Sequence, residues 1–283
     1  MTALEITIQV LTCSALVRLL GAVSLRLTYG EVKAALKRCR FTAILVVNFA
    51  AIPALAAVMA KAFALERDVA IAMILLAAAP FAPVVPVFAR MARADLAAAA
   101  ALTAVFPLTS ALLTPLAARI ALRVLARPDV VRFNVWTSLT MLMATITLPL
   151  AAGVIVRQRA PELGQRLLRP VEVISETIGA ISLAFVTVTQ FGSIAGLGWR
   201  AWLGMGLVSE SSLFLGWLVG GPERRARQVV AFGTSNRNIA LALLVAIQSF
   251  HGSAVASCVV GNGLLLIALG LLHVAWWRFS GAG

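Results

Sequence analysis

The sequence is short of charge: Asp, Glu, Lys and Arg make up 12% of its 283 residues, against about 25% in an average soluble domain. A water-soluble fold is excluded, because 61% of the residues are hydrophobic and too little polar surface remains to cover them. Acid is scarcer still, with 11 Asp and Glu against 24 Lys and Arg, a net charge of +13. In a soluble protein that excess points to nucleic acid. Here Lys33, Lys37, Arg38 and Arg40, then Arg157, Arg159, Arg166 and Arg169, then Arg224, Arg225 and Arg227 fall between apolar segments, so they read as basic cytoplasmic loops and no nucleic-acid partner is expected. The three cysteines, Cys13, Cys39 and Cys258, show no paired spacing, and His251 and His273 stand singly near segment ends. No metal site and no resident cofactor is therefore expected. A basic start is also missing: Glu5 precedes the first basic residue, Arg18, so the first segment is not expected to be removed as a signal peptide.

Apolar runs are what the chain has. Roughly 20 apolar residues cross a hydrocarbon core about 30 Å thick, and nine such spans are read, at about 4–28, 41–62, 69–92, 96–122, 133–156, 171–195, 200–220, 226–250 and 254–277. Lone strands cannot satisfy their backbone groups in lipid, so the expected class is an all-α, polytopic protein of the plasma (inner) membrane, with the bilayer as its first partner. Loops after spans 1, 3, 5 and 7, with the C-terminus, hold about twice the basic residues of the opposite set, although Arg119, Arg123, Arg127 and Arg132 lie on the other side. The N-terminus is then outside and the C-terminus cytoplasmic.

Two spans break the helical pattern. Ala79-Pro80-Phe81-Ala82-Pro83-Val84-Val85-Pro86 places three prolines in seven residues of span 3, removing three donors and obstructing the preceding turns. Gly233-Thr234-Ser235-Asn236-Arg237-Asn238 interrupts span 8 with polar and charged residues, which is tolerated in a membrane only against protein or a wet cavity. Both interruptions fall in the next-to-last span of their half when the halves are 1–125 (spans 1–4, break near 79–88) and 126–283 (spans 5–9, break near 233–238). Matching interruptions in two halves are the sequence sign of an inverted-repeat transporter with two discontinuous helices that meet at a binding site.

The wording of three stretches resembles the bile acid:sodium symporter family from about Gly21 to Phe250: Val47-Asn48-Phe49-Ala50-Ala51-Ile52-Pro53; Ala79-Pro80 through Phe88, followed by Leu102-Thr103-Ala104-Val105 and Leu113-Thr114-Pro115; and Gly233 through Ala242. The resemblance implies a panel of spans 1, 5 and 6 moving against a core of spans 2, 3, 4, 7, 8 and 9, in a nine-helix form without the family's first helix. It also implies co-transport of an organic anion with sodium, whose ligands carry over unevenly. Asn48 stands for an amide on span 2 and Thr103 for a hydroxyl on span 4. Val85-Pro86 replace a Ser-Asn pair, Ala99 replaces a serine, Ala231 replaces a glutamate, and Ser235-Asn236 replace a Gln-Asn pair. Asn48, Thr103, Thr234 and Ser235 are thus a remnant of the cation site.

The residues themselves add a charge. Arg237, at the start of the second half of span 8, has two candidate partners: a substrate anion, bound together with Asn236 and Asn238 at the helix N-terminus, and Glu210 in span 7. Pro83 and Pro86 are expected to hold the substrate cavity open. Glu210, flanked by Ser209, Ser211 and Ser212, is the candidate proton carrier. The expected function is secondary active transport of a small organic anion by alternating access, with Na+ or H+ as the coupling ion. Its alternatives are a proton-coupled or uncoupled carrier using Glu210 and Arg237 and, in other classes, a ligand sensor or an intramembrane enzyme. The enzyme reading lacks a positioned His and any membrane-enzyme motif, so no catalytic residue is named.

Overall fold

Apolar runs that must bond their own backbone in lipid give helices throughout. The structure, a computed structural model, describes residues 3–26, 40–125, 134–250 and 253–279, and among these there is no strand. The helices are α1 (Ala3–Arg26), α2 (Phe41–Ala62), α3 (Arg67–Ala77), α4 (Val85–Met91), α5 (Leu96–Leu125), α6 (Val135–Arg159), α7 (Pro161–Thr189), α8 (Phe191–Ala195), α9 (Trp199–Val219), α10 (Arg224–Ser235), α11 (Ile239–Ser249) and α12 (Val255–Phe279). Seven stretches among the described residues are long and apolar enough to cross a membrane: α2, α5, α6, α7, α9, α10 with α11 taken together, and α12. Expected span 1 is α1, which is not among these seven, and expected span 3 is divided into the short α3 and α4. His251 and Cys39, like Lys33, Lys37, Arg38, Arg127 and Arg132, lie outside the described residues.

Lipid-facing and protein-facing sides separate cleanly. Along α5, Leu108, Leu112, Leu116, Ile120 and Val124 recur every fourth residue and are all exposed, a stripe that would be an aggregation surface in water and is ordinary in lipid. On the same helix Ala99, Leu102, Phe106, Ala111 and Ala118 are buried. The innermost elements are α3, α10 and α11, whose residues from Val69 to Ala77, Val229 to Ser235 and Leu241 to Ile247 are buried on every side. A helix apolar all round belongs in such a position. One cluster of packing joins α1 to α6 and α7; elsewhere α2 packs on α3, α5 and α9, and α12 on α3, α9 and α11.

Span 6 starts earlier than the sequence reading places it. The basic stretch through Arg166 and Arg169 is the first part of α7, which begins at Pro161 and runs through Pro170. Proline suits the first helical position because its missing N–H has no partner there in any case, so polar residues flanking a span extend it as helix instead of forming a loop. Two wide turns each precede a proline: the π segment Val47–Ala51 stands before Pro53, and Met143–Thr147 before Pro149. A proline removes one ladder bond and crowds the carbonyl four residues back, and a π turn is the local adjustment that absorbs this. The first of them carries Asn48.

Candidate functional site at the crossing of two broken helices

The non-helical backbone between α3 and α4 spans residues 78–84, and that between α10 and α11 only residues 236–238. Both breaks are narrower than the sequence reading: Gly233, Thr234 and Ser235 are still helical, and Pro86 lies in the first turn of α4. The two breaks bond to each other. Phe81 N–H donates to the Gly233 carbonyl at 2.9 Å, Ala82 N–H to the Asn236 carbonyl at 3.0 Å, and Asn238 N–H to the Ala79 carbonyl at 2.7 Å. Each interruption thus satisfies groups that the other leaves open, which is how irregular backbone survives where water is scarce. Side chains complete the ends. Thr114 Oγ1 donates to the Ala78 carbonyl at 2.7 Å, and Asn238 Oδ1 caps α11 by accepting from Leu241 N–H at 3.1 Å.

Phe81 turns the chain with φ of 56°, a strained value for an aromatic residue. Its ring stacks on Phe106 at 3.9 Å between centroids, and Phe106 stacks in turn on Phe49 at 6.1 Å. The ring also lies against Gly233, where a Cβ would fall 2.0 Å from Phe81 Cε1. The glycine of the second break is therefore required by the phenylalanine of the first. Gly270 on α12 plays a similar part, since a Cβ there would stand 2.7 Å from Asn236 Oδ1.

A polar chain runs through the crossing. Arg237 Nη1 donates to Asn48 Oδ1 at 3.1 Å, and Asn48 Nδ2 donates to the Ile44 carbonyl at 2.9 Å and to Thr234 Oγ1 at 3.2 Å. Asn236 Nδ2 donates to Ser235 Oγ at 3.2 Å and to the Phe232 carbonyl at 3.2 Å. Arg237 is 4% exposed, and its Nη2 has no partner among the described residues. Beside it opens a cavity of about 350 Å³. Pro83, Asn236, Arg237 and Asn238 line it from the breaks, Thr12 from α1 and Ser182 from α7.

The sequence-derived residues divide accordingly. Asn236, Arg237, Asn238 and Pro83 come together on the cavity, whereas Pro86 is not in its lining. Once Pro86 serves as a first-turn residue of α4, its ring is carried past the opening. Asn48, Thr234 and Ser235 gather at the second break, but Thr103 does not join them through any bond: its hydroxyl is buried and unpartnered among the described residues. Pairing of Glu210 with Arg237 is not what the structure has. Glu210 is on the outward side of α9 and its Oε2 lies 3.1 Å from His273 Nε2 on α12, while the buried side of α9 carries Ser209 and Ser212. Asn262, Thr12 and Ser182 were not anticipated. Asn262 was legible as an amide between two glycines in an apolar run; single hydroxyls such as Thr12 and Ser182 give no comparable signal, since a lone Thr or Ser in an apolar helix ordinarily bonds a carbonyl of its own helix, although the Thr12 hydroxyl here has no partner among the described residues. Among the described residues no group of three His, Cys, Asp or Glu side chains converges as a metal site.

Two interrupted helices bonded across each other, with a buried cation beside a cavity and lipid-facing helices around them, define a multi-pass membrane protein of the transporter class. The chain belongs to the Sodium Bile acid symporter family, whose family model matches residues 13–197. That match takes in α2, the first break and α5 and stops before α9, so the second break and Arg237 lie beyond it. No curated protein matches the chain.

Proposed function

We propose that the protein is a secondary active transporter of a small organic anion, working by alternating access. The observation that carries this reading is Arg237: a guanidinium buried to 4% exposure, with one nitrogen unpartnered and no carboxylate bonded to it among the described residues, on the wall of a cavity of about 350 Å³. A buried charge of this kind is costly until an anion meets it, and Asn236 and Asn238 offer amide groups on the same wall. The architecture of the reading is nine membrane segments in two inverted halves, 1–125 and 126–283, with the N-terminus outside and the C-terminus in the cytoplasm. Packing of α1 on α6 and α7 supports a panel made of spans 1, 5 and 6, and the cavity has walls from both groups, Thr12 and Ser182 from the panel and the two breaks from the core. Sliding of one group on the other would open it alternately to each side.

The test is uptake by proteoliposomes of a panel of radiolabelled organic acids, a bile acid among them. At least one acid should accumulate with wild type, and Arg237→Ala should abolish both accumulation and the acid-induced thermal shift while the variant still purifies as a single species. Undiminished uptake by that variant would remove Arg237 from the site. Proton coupling is a second reading, favoured by the Glu210–His273 contact at 3.1 Å, which joins α9 to α12.

A further inference from the structure

Behind the crossing is a second, much smaller space. It measures about 10 Å³, room for a single water-sized particle. Its polar walls are Ser209 and Ser212 of α9, Ser235 of α10, Arg237 of the second break and Asn262 of α12; the remainder, including Met73, Met205 and Leu266, is apolar. Two of these side chains are incomplete. Arg237 Nη2 and Asn262 Oδ1 are both buried and have no hydrogen-bond partner among the described residues, and the two residues are 4% exposed each.

We propose that this chamber is a binding site for a small inorganic anion, chloride, held by Arg237 with Ser209 and Asn262. Three considerations select the ligand. Size admits only a monatomic ion or one water, so carboxylates, phosphates and lipid headgroups are excluded. Charge separates those two: a water completes the hydrogen bonds but leaves the guanidinium uncompensated, whereas chloride, a monatomic ion somewhat larger than water, also neutralises it. The donors suit an anion as well. Arg237 Nη2–H is free and the Ser209 hydroxyl rotates. Turning the Asn262 amide over presents Nδ2–H and removes its stranded acceptor. Methionine and leucine around the ion exclude competing water. Because Arg237 and Leu266 are walls of both cavities, the resident chloride would hold the guanidinium in place beside the larger cavity. The site stands whether or not the larger cavity takes an organic anion.

The experiment is thermal unfolding of the purified full chain in detergent, with choline chloride exchanged for choline gluconate at constant ionic strength. Gluconate is too large for the chamber. The expected result is a saturable rise in Tm of about 2–4 °C with chloride, reproduced by bromide, and lost in Ser209→Val, which fills the space without touching Arg237. Crystals grown in bromide should show one anomalous peak between Arg237 and Asn262. No saturable response to chloride in wild type would mean that a water occupies the chamber and would overturn the proposal. An undiminished response in Ser209→Val, or a bromide peak in the larger cavity instead, would place the ion elsewhere and overturn it equally. Organic-acid uptake by wild type with chloride present, measured in parallel, reports on the transport reading whatever the chloride result.

Discussion

Asn48 is the residue on which the polar chain turns. Both ends of its amide are engaged, with Oδ1 accepting from Arg237 and Nδ2 donating to Ile44 and Thr234. Truncation by Asn48→Ala should cost about 1.5–3 kcal/mol, the range for losing a hydrogen bond to a charged group and stranding its partner, read as a fall in Tm. Asn48→Asp is the informative companion. It supplies a carboxylate where the carbonyl oxygen lay, so Arg237 gains a fixed counter-charge. Stability should fall, since the second carboxylate oxygen cannot donate and faces the Ile44 carbonyl that Nδ2 bonds, and organic-acid-induced thermal shifts should weaken about tenfold or more in apparent affinity, because a fixed carboxylate now competes for the cation. Equal affinity in Asn48→Asp and wild type would show that the charge of Arg237 is not what the substrate meets. Arg237 was legible in the sequence as an expensive residue in an apolar run. Its partner was not: a substrate anion and Glu210 suited it equally by chemistry, and only the rotational position of α9, which turns Ser209 and Ser212 inward and Glu210 toward His273, sets Glu210 aside.

For the elements, the fit between Phe81 and Gly233 ties one broken helix to the other. Ring and glycine backbone are in contact across the crossing, and Phe81 adopts its strained φ of 56° within the stack on Phe106. Gly233→Ala should therefore destabilise by about 1–3 kcal/mol, the usual cost of overpacking, although in an isolated helix alanine is the better residue by about 1 kcal/mol. Measurement of Tm with the double variant Gly233→Ala, Phe81→Ala separates these two effects: removing the ring should return part of the loss. A Gly233→Ala protein more stable than wild type would mean that helix propensity outweighs the contact. Proline and glycine made the breaks visible in sequence, but their lengths were overestimated. Three prolines do not imply a break as long as their spacing, since Pro86 fits the first turn of a new helix, and polar residues such as Thr234 and Ser235 remain helical when they bond neighbouring turns and side chains.

In the whole molecule, the issue is which ion drives the carrier. Asn48 Oδ1 already accepts from a guanidinium, the Thr103 hydroxyl makes no bond to the group, and Ala231 offers no carboxylate. A sodium ion placed there would compete with the Arg237 guanidinium for Asn48 Oδ1 and be repelled by it at close range. Replacing sodium by choline should leave organic-acid uptake unchanged, and collapsing an imposed pH gradient should reduce it, as measured by initial rates in proteoliposomes. A strict sodium requirement would show that a complete cation site exists elsewhere in the fold.

By itself the sequence determined that the chain lives in a membrane, that its elements are helices, and that two of them are interrupted. These follow from composition and backbone chemistry, because lipid offers the backbone no hydrogen bonds and proline has no N–H to donate. Tertiary structure alone decided that the interruptions bond to each other, that Arg237 answers to Asn48 and leaves one nitrogen open, and that Glu210 faces away. Those outcomes depend on helix rotation and on approaches as close as Phe81 to Gly233, distances between residues some 150 positions apart, which no local pattern of residues encodes.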